Sequence, residues 1–244
     1  MTAPIVLIVG AGDYIGAAIA RRFAQGGFVV CLARRNGENP TDLVDEISAS
    51  GEVAYKFSMD ARDEDQTADL FKTIERDIGA LDLVIFNVGG NVHFPILETT
   101  TRVFQKVWEM ACFAGFLTGR EAARYMVPRG RGKVFFTGAS ASLRGKSGYS
   151  AFAAGKAGLR MLAQSMAREL GPQNIHVSHL IIDAAVDTEF IRERFRAQGK
   201  DPDRLPEDSL MNPSSVAEAY WSLYHQRKDG WSHELDLRPF SETW

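Results

Sequence analysis

The 244-residue chain has only two cysteines, no excess of basic residues and no long apolar run. Cys31 and Cys112 are too few for a disulfide framework, so we expect buried thiols and a cytoplasmic protein. Lys and Arg number 28 against 31 Asp and Glu, and the net charge of −3 argues against binding to nucleic acid or to a membrane surface. No apolar run reaches the roughly 18 residues of a membrane span. We also predict no metal site.

Short apolar runs alternate with helical patterns along the whole chain. The runs predict strands at residues 4–9, 28–33, 53–58, 82–86, 133–137, 175–181 and 234–237. The helical patterns cover residues 15–25, 43–49, 63–78, 101–126, 149–170 and 214–226. Such alternation predicts an α/β fold of the Rossmann type: a doubly wound, mostly parallel, seven-stranded sheet with helices on both faces. We see no linker, and we expect residues 1–244 to form a single domain.

The first predicted strand runs into a glycine-rich turn, and a helix follows this turn. A turn of this kind lets backbone N–H groups and the helix N-terminus face a pyrophosphate. Its place after the first strand of a βαβ pattern favours a dinucleotide-binding site over a turn that only packs. We therefore expect the cofactor contacts of this turn to be Gly10, Gly12, Tyr14, Ile15 and Gly16.

The second predicted strand is followed by two arginines, Arg34 and Arg35. A site that prefers NAD has a carboxylate there for the ribose 2′-hydroxyl, whereas guanidinium groups suit the 2′-phosphate of NADP. The sequence therefore favours NADP as the cofactor, with NAD as the alternative.

These motifs, taken in order, resemble the short-chain dehydrogenase/reductase family over essentially the full length of the chain. Besides the turn, the resemblance rests on Asp60 after the third strand, on residues 87–90 (Asn-Val-Gly-Gly) after the fourth, and on Lys156 in the long helix. The resemblance implies hydride transfer between NADP(H) and a small-molecule substrate. It also implies further cofactor contacts from Asp60, Ala61, Asn87, Gly89, Lys156, Val186 and Thr188.

The catalytic positions depart from the family pattern, which has Asn, Ser, Tyr and Lys. Counting four residues back from Lys156 gives Phe152, which has no proton to donate, and 13 further gives Ala139. The family's Asn aligns with Ala111. Of the family's four catalytic residues, only the lysine is present here, as Lys156.

Three explanations stay open for this departure. In the first, Tyr149, seven residues before Lys156, is the relocated acid, and Ser140 holds the substrate oxygen. This spacing resembles the enoyl reductase branch of the family, in which the Tyr supports an enolate oxygen. Alternatively, the imidazole of His93 is the acid. In the third, the protein is an inactive or weakly active cofactor-binding sensor or scaffold.

The resemblance also indicates a substrate lid and partners. Residues 189–212 correspond to the lid, and their mixture of apolar and basic side chains suits an acyl group on an anionic carrier such as a CoA thioester. Aromatic residues on the predicted helices at 101–126 and 149–170 lie where family members form homodimers and homotetramers.

Overall fold

The computed structural model describes residues 3–35 and 41–242 of the chain. Within these residues, seven strands form one sheet in the order β3-β2-β1-β4-β5-β6-β7, and every pairing is parallel. The strands are β1 (Ile5–Val9), β2 (Val29–Arg34), β3 (Ala54–Ser58), β4 (Leu81–Phe86), β5 (Gly132–Thr137), β6 (Ile175–Ile182) and β7 (Glu234–Leu237). The predicted fold class is confirmed, and each predicted strand boundary lies within one residue of the observed one.

Helices cover both faces of the sheet. They are α1 (Ile15–Gln25), α2 (Thr41–Ala49), α3 (Glu64–Asp77), α4 (Thr101–Trp108), α5 (Ala114–Arg129), α6 (Ser150–Leu170), α7 (Glu189–Ala197) and α8 (Pro213–His225). The single helix predicted over residues 101–126 is interrupted, because a π-helical turn at Glu109–Phe113 separates α4 from α5. No helix among the described residues is long and apolar enough to cross a membrane.

Helix α7 was not among the predicted helices. It has no buried residue, because its apolar side chains Phe190, Ile191 and Phe195 line the cleft described below and do not pack into either core. Its start is nevertheless well defined, since the Thr188 side chain accepts a hydrogen bond from the backbone N–H of Ile191.

The alternation of strand side chains builds one core on each face of the sheet. In β1, Val6 and Ile8 pack into the core beneath α1, α2 and α8. Ile5, Leu7 and Val9 point to the opposite core, which α3, α5 and α6 complete. Because every residue of β1 is buried, this strand reads as a continuous apolar run.

The chain order reverses between β1 and β4, which lie side by side at the centre of the sheet. The loops that follow these two strands lead the chain in opposite directions, and this opens a crevice at the carboxyl edge of the sheet. Ligands bind in such a crevice in open α/β sheets. Gly10 shows how close these loops are: its φ is +90°, and a Cβ there would lie 2.7 Å from the backbone carbon of Asn87. Only glycine fits this crossing.

Candidate active site

A cleft of about 1120 Å³ opens at the carboxyl edge of the sheet. Its walls come from the loops after β1 to β6 and from α7. All of the predicted site residues line it: Gly10, Gly12, Tyr14, Ile15, Gly16, Arg34, Arg35, Asp60, Ala61, Asn87, Gly89, Ser140, Tyr149, Lys156, Val186 and Thr188. The fold thus brings together residues that lie up to 178 positions apart, between Gly10 and Thr188.

The glycine-rich turn leaves the start of α1 open to this cleft. The first residue flanking α1 is Tyr14, whose side chain makes no capping hydrogen bond to the helix. A Cβ at Gly12 would meet nothing within 4 Å, whereas one at Gly16 would lie 2.8 Å from the Cα of Ala11. The uncapped N–H groups and the open space beside Gly12 fit a pyrophosphate.

Tyr14 connects the turn to the far side of the cleft. Its side chain is 43% exposed, and its hydroxyl oxygen accepts a hydrogen bond of 3.1 Å from the backbone N–H of Glu189 at the start of α7. The tyrosine therefore bridges the glycine-rich turn and the start of α7.

Where the loops after β1, β2 and β3 line the cleft, each of two arginines is paired with a carboxylate. Arg34 Nη1 lies 2.9 Å from Oδ1 of Asp13. Arg62, which the sequence analysis did not single out, donates hydrogen bonds to both carboxylate oxygens of Asp60. This guanidinium keeps the pKa of the Asp60 carboxyl below its usual range. Arg35 is exposed at the rim. The arrangement can present guanidinium groups to a phosphate.

Asn87 joins the glycine turn to the neighbouring strand. Its amide nitrogen donates to the carbonyl of Gly10 at 3.1 Å, and its amide oxygen accepts from the Thr137 hydroxyl at 3.0 Å. The hydroxyls of Thr137 and Tyr220 are 2.7 Å apart in the core. This chain of bonds holds the floor of the cleft rigid.

Lys156 places a buried ammonium group in the middle of the cleft. Its Nζ donates to the backbone carbonyls of Thr137 at 2.8 Å and Val88 at 3.1 Å. Burial lowers the pKa of Lys156 to about 8, because the charged form loses its water. The ring centroid of Phe152 lies 6.0 Å from the same nitrogen, so an apolar surface faces the ammonium there.

Tyr149 lines the cleft just before α6. The sequence analysis placed it within the helix, but α6 begins at Ser150. The preceding Gly148 has a φ of +81°, so the loop, and not the helical repeat, directs the ring. The Tyr149 hydroxyl oxygen accepts a hydrogen bond from Nη2 of Arg194 on α7. The His93 ring packs edge-on against the Tyr149 ring, with centroids 5.0 Å apart.

Ser140 contacts a buried ion pair that the sequence did not reveal. Its hydroxyl donates to Asp183, which is 1% exposed and binds both terminal nitrogens of Arg144 at 2.8 and 2.9 Å. Burial raises the pKa of the Asp183 carboxyl, but the hydrogen bonds from Ser140 and Arg144 outweigh this effect and hold it below its ordinary value. A hydroxyl has one proton, so Ser140 in this arrangement offers the cleft an acceptor oxygen.

A side cavity of about 370 Å³ adjoins the cleft beside α7. Its walls are Asn91, His93, Phe190, Arg194 and Gln198. His93, the alternative acid of the sequence analysis, therefore lies in this side cavity, beside Tyr149.

Comparison with known proteins places this geometry in a family. The model of the family described as short chain dehydrogenase matches residues 4–199. The curated 2-dehydro-3-deoxy-D-gluconate 5-dehydrogenase of Formosa agariphila is 32% identical over 180 residues, which span 71% of this chain and 66% of that protein. The chain thus matches just under two thirds of this relative's length.

Two solved structures share the fold over nearly the whole chain. A short-chain dehydrogenase from Rhodopseudomonas palustris is 50% identical, with a TM-score of 0.84 over 98% of this chain and 100% of its own. A metagenomic short-chain oxidoreductase in complex with NADP is 23% identical, with a TM-score of 0.82 over 98% of each chain. The chain therefore belongs to the short-chain dehydrogenase family.

Proposed function

We propose that this chain is an NADP(H)-dependent oxidoreductase that transfers hydride to or from a small carbonyl or enoyl compound. One observation carries the proposal: an uncapped glycine turn, two arginines, a tyrosine and a buried lysine all line a single cleft. Hydride transfer needs a site of this layout, with cofactor and substrate side by side in one cavity.

The cofactor half of the cleft suits NADP. The uncapped start of α1 beside Gly12 would hold the pyrophosphate, and Arg34 and Arg35 would hold the 2′-phosphate. Arg34 would exchange Asp13 for this phosphate at little cost, because exposed ion pairs contribute only about 0–1 kcal/mol. The NADP complex of the metagenomic relative supports this assignment. NAD stays the alternative cofactor.

Tyr149 is the proposed proton donor. Its oxygen accepts from Arg194, so its O–H proton is left to donate to a substrate oxygen, and the guanidinium stabilises the phenolate that remains. The bound cofactor supplies or takes up the hydride. Lys156, held by two backbone carbonyls, adds positive charge at the same place, and Ser140 accepts a hydrogen bond from a substrate hydroxyl.

A second candidate function follows from the apolar residues at the family's catalytic positions. We place Phe152 at the position of the family's tyrosine, and Ala139 and Ala111 at those of its serine and asparagine. These three substitutions favour a protein that binds the cofactor as a sensor or scaffold without turnover.

Assembly and location are part of the proposal. Trp108, Phe116 and Met161 are 40%, 38% and 50% exposed, and we propose that they lie between subunits of a homodimer or homotetramer. The free thiols of Cys31 and Cys112 fit the reducing cytoplasm. The name of the Formosa agariphila relative supports a small hydroxy or carbonyl compound as substrate.

Binding and turnover measured on the same sample test the proposal. Energy transfer from tryptophan to the reduced nicotinamide gives affinities for NADPH and NADH. A screen with a ketone, an alcohol and an enoyl thioester then gives turnover. We expect NADPH to bind more tightly and at least one substrate to react. Tight binding with no turnover favours the sensor or scaffold, and no binding of either cofactor contradicts both candidates.

A further inference from the structure

The arginines of α7 differ in their partners. Arg192 pairs with Asp187 and Asp203, and Arg196 pairs with Glu189. Arg194 contacts no carboxylate within residues 3–35 and 41–242, and its neighbour is the hydroxyl of Tyr149. A guanidinium is permanently charged and has five N–H donors, of which the tyrosine takes one. Arg194 thus has positive charge and several donors left for a ligand.

The side cavity collects further hydrogen-bond donors around this guanidinium. The other polar residues that line the cavity are Asn91, Gln198 and His93, whose side chains each carry N–H donors. The remaining wall, Phe190, is apolar and 60% exposed. Four of the five walls can therefore donate to an anion, and the fifth can pack against a short carbon chain.

We propose, resting on the oxidoreductase function above, that this side cavity binds the carboxylate of the substrate and that the substrates are small oxo acids and the matching hydroxy acids. A planar carboxylate matches the fork of a guanidinium through two parallel N–H···O bonds. Because one Arg194 side chain contacts both Tyr149 and the cavity, a carboxylate bound there holds its carbonyl group beside the phenol.

Matched probes separate the charge from the rest of the substrate. 4-Carboxybenzaldehyde carries a carboxylate, and its methyl ester has the same ring and aldehyde without the charge. Binding of each to the NADPH complex is measured by calorimetry, and NADPH oxidation is followed in parallel. We expect the acid to bind about 10- to 100-fold more tightly than the ester, the factor typical of a charge-assisted hydrogen bond.

Variants of the two neighbouring arginines supply the test and its control. Arg194→Gln should abolish the preference for the acid, and Arg194→Lys should keep part of it. Arg196→Gln should leave the preference unchanged, because that side chain pairs with Glu189 outside the cavity. If Arg194 served only to orient Tyr149, Arg194→Gln would slow both probes equally and leave their ratio intact, which would overturn the inference.

Competition identifies the anion, and the two readouts keep the proposals apart. Benzoate should displace the acid at least as well as phenyl phosphate does, since both anions can pair with a guanidinium; displacement by phenyl phosphate alone would overturn the carboxylate assignment. Arg194-dependent binding of the acid without oxidation of NADPH would support the carboxylate site while contradicting the oxidoreductase function. Oxidation of NADPH with equal preference for acid and ester would support the oxidoreductase function and contradict the carboxylate site.

Discussion

The buried ion pair beside Ser140 makes a quantitative prediction about stability. Asp183 is 1% exposed, whereas the side chain of Arg144 is 40% exposed. Arg144→Ala removes the main partner of a carboxylate that cannot reach water, and leaves it Ser140 and the guanidinium of Arg238 at 3.6 Å. Stranding a buried charge costs about 3–5 kcal/mol. Because Arg238 remains, we expect a loss of about 3 kcal/mol, at the lower end of that range.

The reverse deletion should cost less. Asp183→Ala removes the buried charge itself. Arg144 is left near the surface, within reach of water and of the charges of Glu242 and Asp236. Loss of the hydrogen bonds then costs about 1–2 kcal/mol. Removing Arg144 is therefore predicted to cost more stability than removing Asp183, because the carboxylate is buried and the guanidinium is not.

Urea denaturation followed by circular dichroism tests this order at pH 7. Arg227→Ala is the control, because its guanidinium is 89% exposed and lies 3.8 Å from Asp229; we expect a change within about 0.5 kcal/mol. The pKa of Asp183 is below its unfolded value of 3.8, so the stability it contributes is present above pH 3.8 and is lost as the pH falls further. The difference between the two variants should thus shrink as the pH falls below 3.8. An Asp183→Ala loss equal to or larger than that of Arg144→Ala at pH 7 would refute the reasoning.

Two further predictions concern the cofactor and acid stability. Replacing both Arg34 and Arg35 by alanine should weaken NADPH binding about 10²-fold and NADH binding little, because only NADPH has the 2′-phosphate. Energy transfer from tryptophan measures both affinities, and equal losses would contradict the assignment of NADP. Burial lowers the pKa of His176 from 6.5 to about 4. Because the unfolded chain takes up this proton first, stability should fall by up to about 3 kcal/mol between pH 6.5 and pH 4. His176→Phe, which keeps a ring against Trp231, should flatten this slope in urea titrations; an unchanged slope would show that other groups cause it.

The sheet could be predicted because its signals are local. A strand buried on both faces needs an uninterrupted apolar run, as in β1, where all five residues are buried. The glycine turn could be predicted because the strand, the glycines and the helix follow one another in the sequence. The reason for Gly10, its crossing with Asn87, is visible only in the fold. Sequence spacing also placed Tyr149 and Lys156 in the same cleft, although Tyr149 precedes the helix that was expected to hold it.

The contacts that give the cleft its chemistry could not be predicted, because they join distant segments. Arg194 reaches Tyr149 across 45 residues, and this depends on the packing of α7, a helix without a buried face. The bond from Ser140 to Asp183 likewise joins the loop after β5 to the end of β6. The run of arginines after residue 190 was visible in the sequence, but which of them lacks a carboxylate partner is a property of the fold.

Single-turnover oxidation of bound NADPH by wild type and Tyr149→Phe tests the central claim most directly, with the best substrate of the screen. Tyr55→Phe, an exposed tyrosine on β3, is the matched control. The account predicts unchanged NADPH affinity in all three proteins, and a rate that falls about 10²–10⁴-fold in Tyr149→Phe alone. An undiminished rate in Tyr149→Phe would contradict the claim that this phenol supplies the proton.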